Sequence, residues 1–404
     1  MNQEIKKRTN SQRKGITLFL MVALMLSIFC VLKVLRGSDT GSSAQGGIWN
    51  YISLLFYPVF LFAFLIKKRY KVSLFLYSSI LYMLFALIPA IGKFSAEGDI
   101  TYIYQFIMIP YPILVFLTFY FCSDESDRGK KIILLGYFAC LALNLYSVIT
   151  FQFAEAEQAQ QSDIYFSLGL FPFALLFLKR KDLRIVTVVL EFLAVFMVNK
   201  RTALISFLLA LVAYLLIDSY MKEKSKFFSM LKTLTIIALI ALVFYGISKY
   251  LDDKYEMGVY SRLFRLSEDG GSGRDIIYRN IWNGFHESSL AEKLFGHGMK
   301  TAGKIGGASQ AHNDFLEILY DYGLLDFIFA VLFYVSLIVE QIRLIRKKSP
   351  YASCFAVSLV IGLFLAMFSY FLIFYTYVTC IMAFWGYVLA MEEKRLKRLQ
   401  KEGT

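Results

Sequence analysis

The sequence predicts an all-α polytopic membrane protein of about twelve transmembrane helices with one long, partly helical extracytoplasmic loop. Three observations predict it. Of 404 residues, 58% are hydrophobic and 18% charged, against about 45–50% and about 25% in soluble domains. The apolar residues fall in long runs separated by short charged clusters. The basic residues alternate from one inter-run segment to the next, as positive-inside topology requires. This composition excludes a water-soluble enzyme, a disordered chain and a nucleic-acid-binding module, despite a net charge of +13.

Lipid leaves backbone polar groups unsatisfied, so long apolar runs must cross as helices. The runs place spans at 16–36, 48–66, 72–91, 101–121, 132–151, 164–178, 185–198, 202–217, 231–248, 324–342, 351–370 and 372–390. The turn between the last two is weak, at Ser369 to Tyr377. The first run follows a basic, polar start and has no small-residue cleavage site, so it reads as a span and not a removed signal peptide. With the N-terminus inside, 29 of the 43 basic residues fall in inner segments, among them Lys67, Lys68, Arg69, Arg343, Arg346 and Lys394. The short outer loops 37–47 and 152–163 contain none. Both termini are therefore expected in the cytoplasm. The chain divides into 1–248 (nine spans), 249–323 (a folded extracytoplasmic loop) and 324–404 (three spans and a basic tail). No disulfide framework is expected, because Cys30, Cys122, Cys140, Cys354 and Cys380 all lie in or beside apolar runs.

Three stretches carry candidate chemistry. From Ile185 to Ile217, 33 apolar residues are interrupted by Glu191 and by Asn199-Lys200-Arg201-Thr202. One helix cannot use that length, so two short helices of 14 and 16 residues are expected, the first spanning only roughly 21 Å against a core of about 30 Å. Lys200 and Arg201 should then sit below the outer surface, where charge marks function. Snorkelling of both to lipid phosphates is the alternative.

The second stretch is Gly270-Gly271-Ser272-Gly273-Arg274-Asp275, leading into a helix with Ile277, Ile281 and Phe285 at helical spacing. Arg274 would stand at its start, where free N–H groups favour anions. Arg274 and Arg279 can grip phosphate bidentately. A solvated loop helix is the bland reading.

The third runs from Ala311 to Gly323. Asp314, Glu317 and Asp321 share one face of a short helix, read as lying on the outer surface, and His312 and Asn313 stand at its start. Of the three histidines (His286, His297 and His312), His312 is placed best to act as a general base near neutral pH. A structural hydrogen-bonding role is the competing reading. No metal site is expected, since the histidines are scattered and Asp252-Asp253 has nothing to complete a cage. Glu191 is a buried acid for pairing, while Asp326 and Glu340 should reach the interfaces.

Taken in order, these parts resemble the bacterial O-antigen polymerase and O-antigen ligase family. The resemblance is carried by Asn199–Leu204, by Gly-Arg-x-x-x-Tyr-x-x-x-Trp at Gly273–Trp282, by Leu-Phe-Gly-His-Gly-Met at Leu294–Met299, and by His312–Leu325. It implies a metal-independent GT-C-type glycosyltransferase that needs no cofactor. Such an enzyme moves glycan from undecaprenyl pyrophosphate to an acceptor hydroxyl at the outer face. Arg201 and Arg274 would bind the pyrophosphate and His312 would activate the hydroxyl. Tyr278, Trp282 and Asn313 would contact substrate. Lys200 and Arg279 are added from charge and spacing. The implied partners are the undecaprenyl-pyrophosphate-linked oligosaccharide, the bilayer, and the flippase and chain-length regulator of the same pathway. A repeat-unit polymerase is the first expectation, a ligase of finished glycan the second. A lipid-linked oligosaccharide flippase is the alternative class, although the sequence shows no paired repeats.

Overall fold

The computed structural model describes residues 18–35, 55–66, 74–97, 109–152, 163–198, 200–222, 270–308, 310–372 and 375–402, with isolated residues between 235 and 254. Expectations for the basic N-terminal segment, the loop 37–47, residues 153–162 of the loop 152–163, residues 101–108, Asn199, most of the span 231–248, Asp252 and residues 255–269 lie outside the described residues.

Among the described residues there is no strand, and the helices follow the apolar runs. They are α1 (Leu18–Leu35), α2 (Phe56–Ile66), α3 (Leu74–Glu97), α4 (Tyr111–Cys122), α5 (Asp127–Gln152), α6 (Ile164–Phe177), α7 (Lys181–Met197) and α8 (Arg201–Lys222). Then come four shorter or amphipathic helices, α9 (Gly270–Glu287), α10 (Leu290–Phe295), α11 (Thr301–Gly306) and α12 (Asp314–Asp321). The last three are α13 (Gly323–Arg346), α14 (Ala352–Phe368) and α15 (Tyr375–Glu402). Four described helices (α1, α5, α8 and α13) are long and apolar enough to cross a membrane.

The chain forms two compact units. The first comprises 1–71, 111–207 and 375–404. Here α15 packs along α4 and α6. Gly386 makes this approach possible, because a Cβ there would overlap the Phe116 carbonyl oxygen and stand 3.0 Å from Phe119 Cβ. Small residues allow such backbone contact between membrane helices. Phe173 fills the space beside it, edge-on to Phe384 at 4.9 Å.

Helix α7 shows the bilayer's signature. Ile185 and Val189 are at least 50% exposed, while Thr187 and Glu191 are buried. Glu191 accepts hydrogen bonds from Tyr137 Oη (2.9 Å) and Ser167 Oγ (3.1 Å). An apolar outward face over a hydrogen-bonded acid suits hydrocarbon and not water. The fold is that of an all-α polytopic membrane protein. One expectation changes. The break before Arg201 is present, but α7 has 17 residues, not 14, because charged Lys181 to Arg184 join the helix. It then reaches about 26 Å, the added length lying at its charged N-terminal end.

The second unit comprises 72–110 and 208–374. Helix α3 packs on α13 through Phe75–Phe333 (5.1 Å) and Phe85–Phe329 (4.8 Å). The short helices share their own small core of Ile281, Ala302, Ala311 and Tyr320, flanked by Ile277, Phe285 and Leu316. Asp326 corrects an expectation. It is fully buried, not interfacial, and neither carboxylate oxygen has a hydrogen-bond partner among the described residues. It lies on the face of α13 that is within electrostatic reach of Tyr82 and Tyr322. Glu340 pairs with Arg343 at 3.2 Å as a surface group.

Candidate functional site

The second unit builds its site around the turn that leads into α12. His312 has φ +56°, a left-handed conformation that costs energy for any residue with a Cβ. Backbone strain of this kind gathers at functional sites. The surroundings hold the turn in place. Tyr278 Oη donates to the His312 carbonyl at 3.2 Å. Tyr370 Oη and His312 Nδ1 lie 2.6 Å apart, with the two rings 4.8 Å apart. Asn313 caps α12, its Oδ1 accepting from Leu316 N at 3.2 Å.

The three acids of α12 are the second correction. Asp314, Glu317 and Asp321 are at most 1% exposed and do not form a solvated face. Each gathers backbone donors from a neighbouring segment. Asp314 Oδ2 accepts from Phe371 N (2.9 Å) and Leu372 N (2.6 Å), which ties the turn after α14 to the start of α12. Glu317 Oε2 accepts from Ala311 N at 3.1 Å, next to His312. Asp321 accepts from Lys300 N (2.6 Å), Ala302 N (2.7 Å) and Thr301 Oγ1 (2.7 Å) at the start of α11. Burial pushes the Asp321 carboxyl up to about 7, against the pull of these donors. Burial, then the Asp321 charge, raises Glu317 well above the usual carboxylate range. Glu317, through Ala311 N, and Asp314, through Phe371 N and Leu372 N, fix the chain on either side of His312.

Arg274 enters the same neighbourhood. Gly273 has φ +76°, so the regular course of α9 begins at the arginine. Its Nη1 donates at 2.7 Å to the carbonyl of Phe368, the last residue of α14. Helix C-terminal carbonyls are natural partners for cations. Arg274 is also close enough to Tyr278 for its charge to oppose the rise that burial imposes on that phenol. Arg274, Tyr278, His312, Asn313 and Tyr370 therefore form one connected group. Arg279 and Trp282 are exposed on α9, outside this group. His297 has a structural place. It stacks on Tyr320 at 4.1 Å, with Nδ1 near the Tyr320 carbonyl (3.1 Å) and Nε2 near Ser288 Oγ (3.0 Å).

Lys200 and Arg201 belong to the first unit. Arg201 opens α8 and is half-buried. Lys200 Nζ lies 4.7 Å from the Tyr165 ring centroid. Asp163, ahead of α6, is pushed up to about 7 by burial, with Lys200 and Lys33 pulling it down. A basic group with a tempering acid thus surrounds the α7–α8 break. Among the described residues, no group of three His, Cys, Asp or Glu side chains is arranged to hold a metal ion.

Tyr370 is the member of the His312 group that the sequence did not give. It lies in the weak turn between two apolar runs, and no motif marks it. Replacing it with phenylalanine keeps the ring and removes the hydroxyl. We expect any reaction that uses His312 to slow about tenfold, the equivalent of one hydrogen bond of about 1.4 kcal/mol. Steady-state kinetics with unchanged expression would check this, and a wild-type rate would remove Tyr370 from the site.

The fold and this site define a class, the polytopic membrane proteins with a histidine–arginine centre on a folded loop. Residues 186–331 match the family model described as O-antigen ligase (Wzy_C), and the resemblance to the O-antigen polymerase and ligase family holds for this segment. It includes every candidate residue except Tyr370. No curated protein matches the chain.

Proposed function

We propose that the protein is a surface-polysaccharide repeat-unit polymerase. It spans the cytoplasmic membrane about twelve times, with both termini inside and the catalytic loop outside. The family match supports a glycosyltransferase-like role in surface-polysaccharide biosynthesis. The observation that carries the proposal is His312, held at φ +56° by Tyr278 and Tyr370 beside Arg274.

In the proposed reaction the acceptor sugar hydroxyl attacks the anomeric carbon of the lipid-linked glycan. The bond from that carbon to the phosphate oxygen breaks, and undecaprenyl pyrophosphate leaves with the electron pair. His312 takes the hydroxyl proton. Tyr370 engages Nδ1 and fixes the orientation of the ring. Arg274 stabilises charge growing on the diphosphate, the kind of fixed donor whose removal costs about 10²–10³ in rate, and the family resemblance implies pyrophosphate binding for Arg201 as well. Lys200 adds positive charge, and no metal is required. R201A and R274A are each expected to lose about 10²-fold in transfer. Because Arg274 also caps α14, R274A must be compared at equal thermal midpoint, and R201A tests the charge independently.

The deciding experiment is incubation of the reconstituted protein with a lipid-pyrophosphate oligosaccharide. A ladder of products supports a polymerase. The description of the matched family favours a second reading, ligation of finished glycan to a lipid or wall acceptor. A deletion strain that accumulates long lipid-linked polymer would favour the ligase, and one left with single units the polymerase. Counterflow without bond formation would reject both.

A further inference from the structure

Helix α9 has two faces, and the reaction centre uses only part of it. Ile277, Ile281 and Phe285 pack inward on Ala302, Ala311 and Tyr320. The opposite side presents Asp275, Ile276, Arg279, Trp282, Asn283, His286 and Glu287, all exposed, with Ile276 as its one exposed aliphatic side chain. Trp282 is 49% exposed. Its indole is braced by His286, edge-on at 4.8 Å and 78°, and lies 6.4 Å from Phe285. A large aromatic ring is therefore displayed to solvent, with a supporting imidazole behind it.

We propose that this face binds the saccharide chain of the substrate, with Trp282 as the platform on which one sugar ring stacks. A sugar ring has an apolar C–H side and a rim of hydroxyls. An indole matches the first. The guanidinium, amide and carboxylate groups of Arg279, Asn283 and Glu287 match the second, since they pair with neighbouring hydroxyls two at a time. Charge separates this occupant from a membrane surface. The face has one basic residue against two acidic ones, whereas anionic lipid surfaces attract clusters of Lys and Arg. Position links it to the centre. Tyr278, which donates to the His312 carbonyl, lies one turn before Trp282 on the same helix, and a turn advances about 5.4 Å. The inference rests on the reading of the protein as a transferase of lipid-linked glycan.

The test uses the full-length protein in nanodiscs and, as probe, the delipidated saccharide released by mild acid from the lipid-linked pool of the source cells. Equilibrium dialysis should show binding to the wild type. W282A should bind about tenfold more weakly, a difference of about 1.4 kcal/mol. W282F should recover most of the affinity, because it restores a stacking surface, and H312N should bind like the wild type. Equal affinity of W282A and wild type, or no binding by the wild type, overturns the proposal. Fluorescence of Trp282, read as wild type minus W282F, should resist quenching by brominated phospholipid; strong quenching assigns the face to the bilayer and also overturns it. In kinetics, a KM raised for the acceptor alone places the growing strand on α9, and one raised for the donor alone places the incoming unit there. Wild-type transfer rates in H312N would instead defeat the functional reading, independently of saccharide binding.

Discussion

Replacing His312 with asparagine is expected to lower glycan transfer by about 10²–10⁴-fold, the range spanned by general acid–base groups, while leaving the protein folded. Asparagine is chosen because of the backbone. His312 sits at φ +56°, where Asn is among the few residues with a Cβ that settle readily. Asparagine therefore preserves the turn and the carbonyl that accepts from Tyr278. It also keeps Asp314 in place on Phe371 N and Leu372 N. What it removes is the imidazole that Tyr370 holds at 2.6 Å. Alanine is the poorer test, because it adds strain at the same position. Activity assayed on lipid-linked oligosaccharide, with thermal midpoint in parallel, reads both effects. If H312N kept more than about a tenth of the wild-type rate at an unchanged midpoint, proton transfer by His312 would not be part of the reaction.

The break in α7–α8 and the position of His312 were legible because periodicity and length constrain them directly. A run of 33 apolar residues cannot be one span, and polar residues at 199–202 mark where it divides. The roles of the α12 acids were not legible. Their spacing puts Asp314, Glu317 and Asp321 near one another on a helix, and that pattern is the same whether water or protein covers them. Burial is decided by Ala311, Phe371 and Thr301, which come from segments remote in sequence or in other turns. Tyr370 was hidden for a similar reason. It joins His312 across 58 residues, and nothing local to a tyrosine in an apolar stretch reveals such a partner. Asp326 was misplaced because its distance from the start of the apolar run is that of an interfacial residue, whereas its face of α13 is packed.

The same dependence on remote contact gives the largest expected loss of stability, at Gly323. Two backbone stretches meet there, 294–298 and 320–323. His297 N donates to Tyr320 O at 3.1 Å and Gly298 N to Asp321 O at 2.8 Å. Gly323 has φ +86°. A Cβ added to it would overlap the Leu294 carbonyl oxygen and stand 2.6 Å from Gly296 N. Alanine at 323 therefore combines two costs. The left-handed backbone alone costs about 1–2 kcal/mol. The overlap is with backbone on an element pinned by Asp321, so no side chain can swing away, and the total should exceed about 4 kcal/mol, the range reserved for severe mutations. Gly307 separates the two costs. Its φ is +77°, yet nothing lies within 4 Å of the added Cβ, so Gly307→Ala should lose only the backbone share. Thermal midpoints of the detergent-solubilised variants should fall far more for Gly323→Ala than for Gly307→Ala. Equal midpoints would mean that the 294–298 stretch is not packed against the start of α13, and the backbone pairing of Gly298 with Asp321 would not hold these segments together.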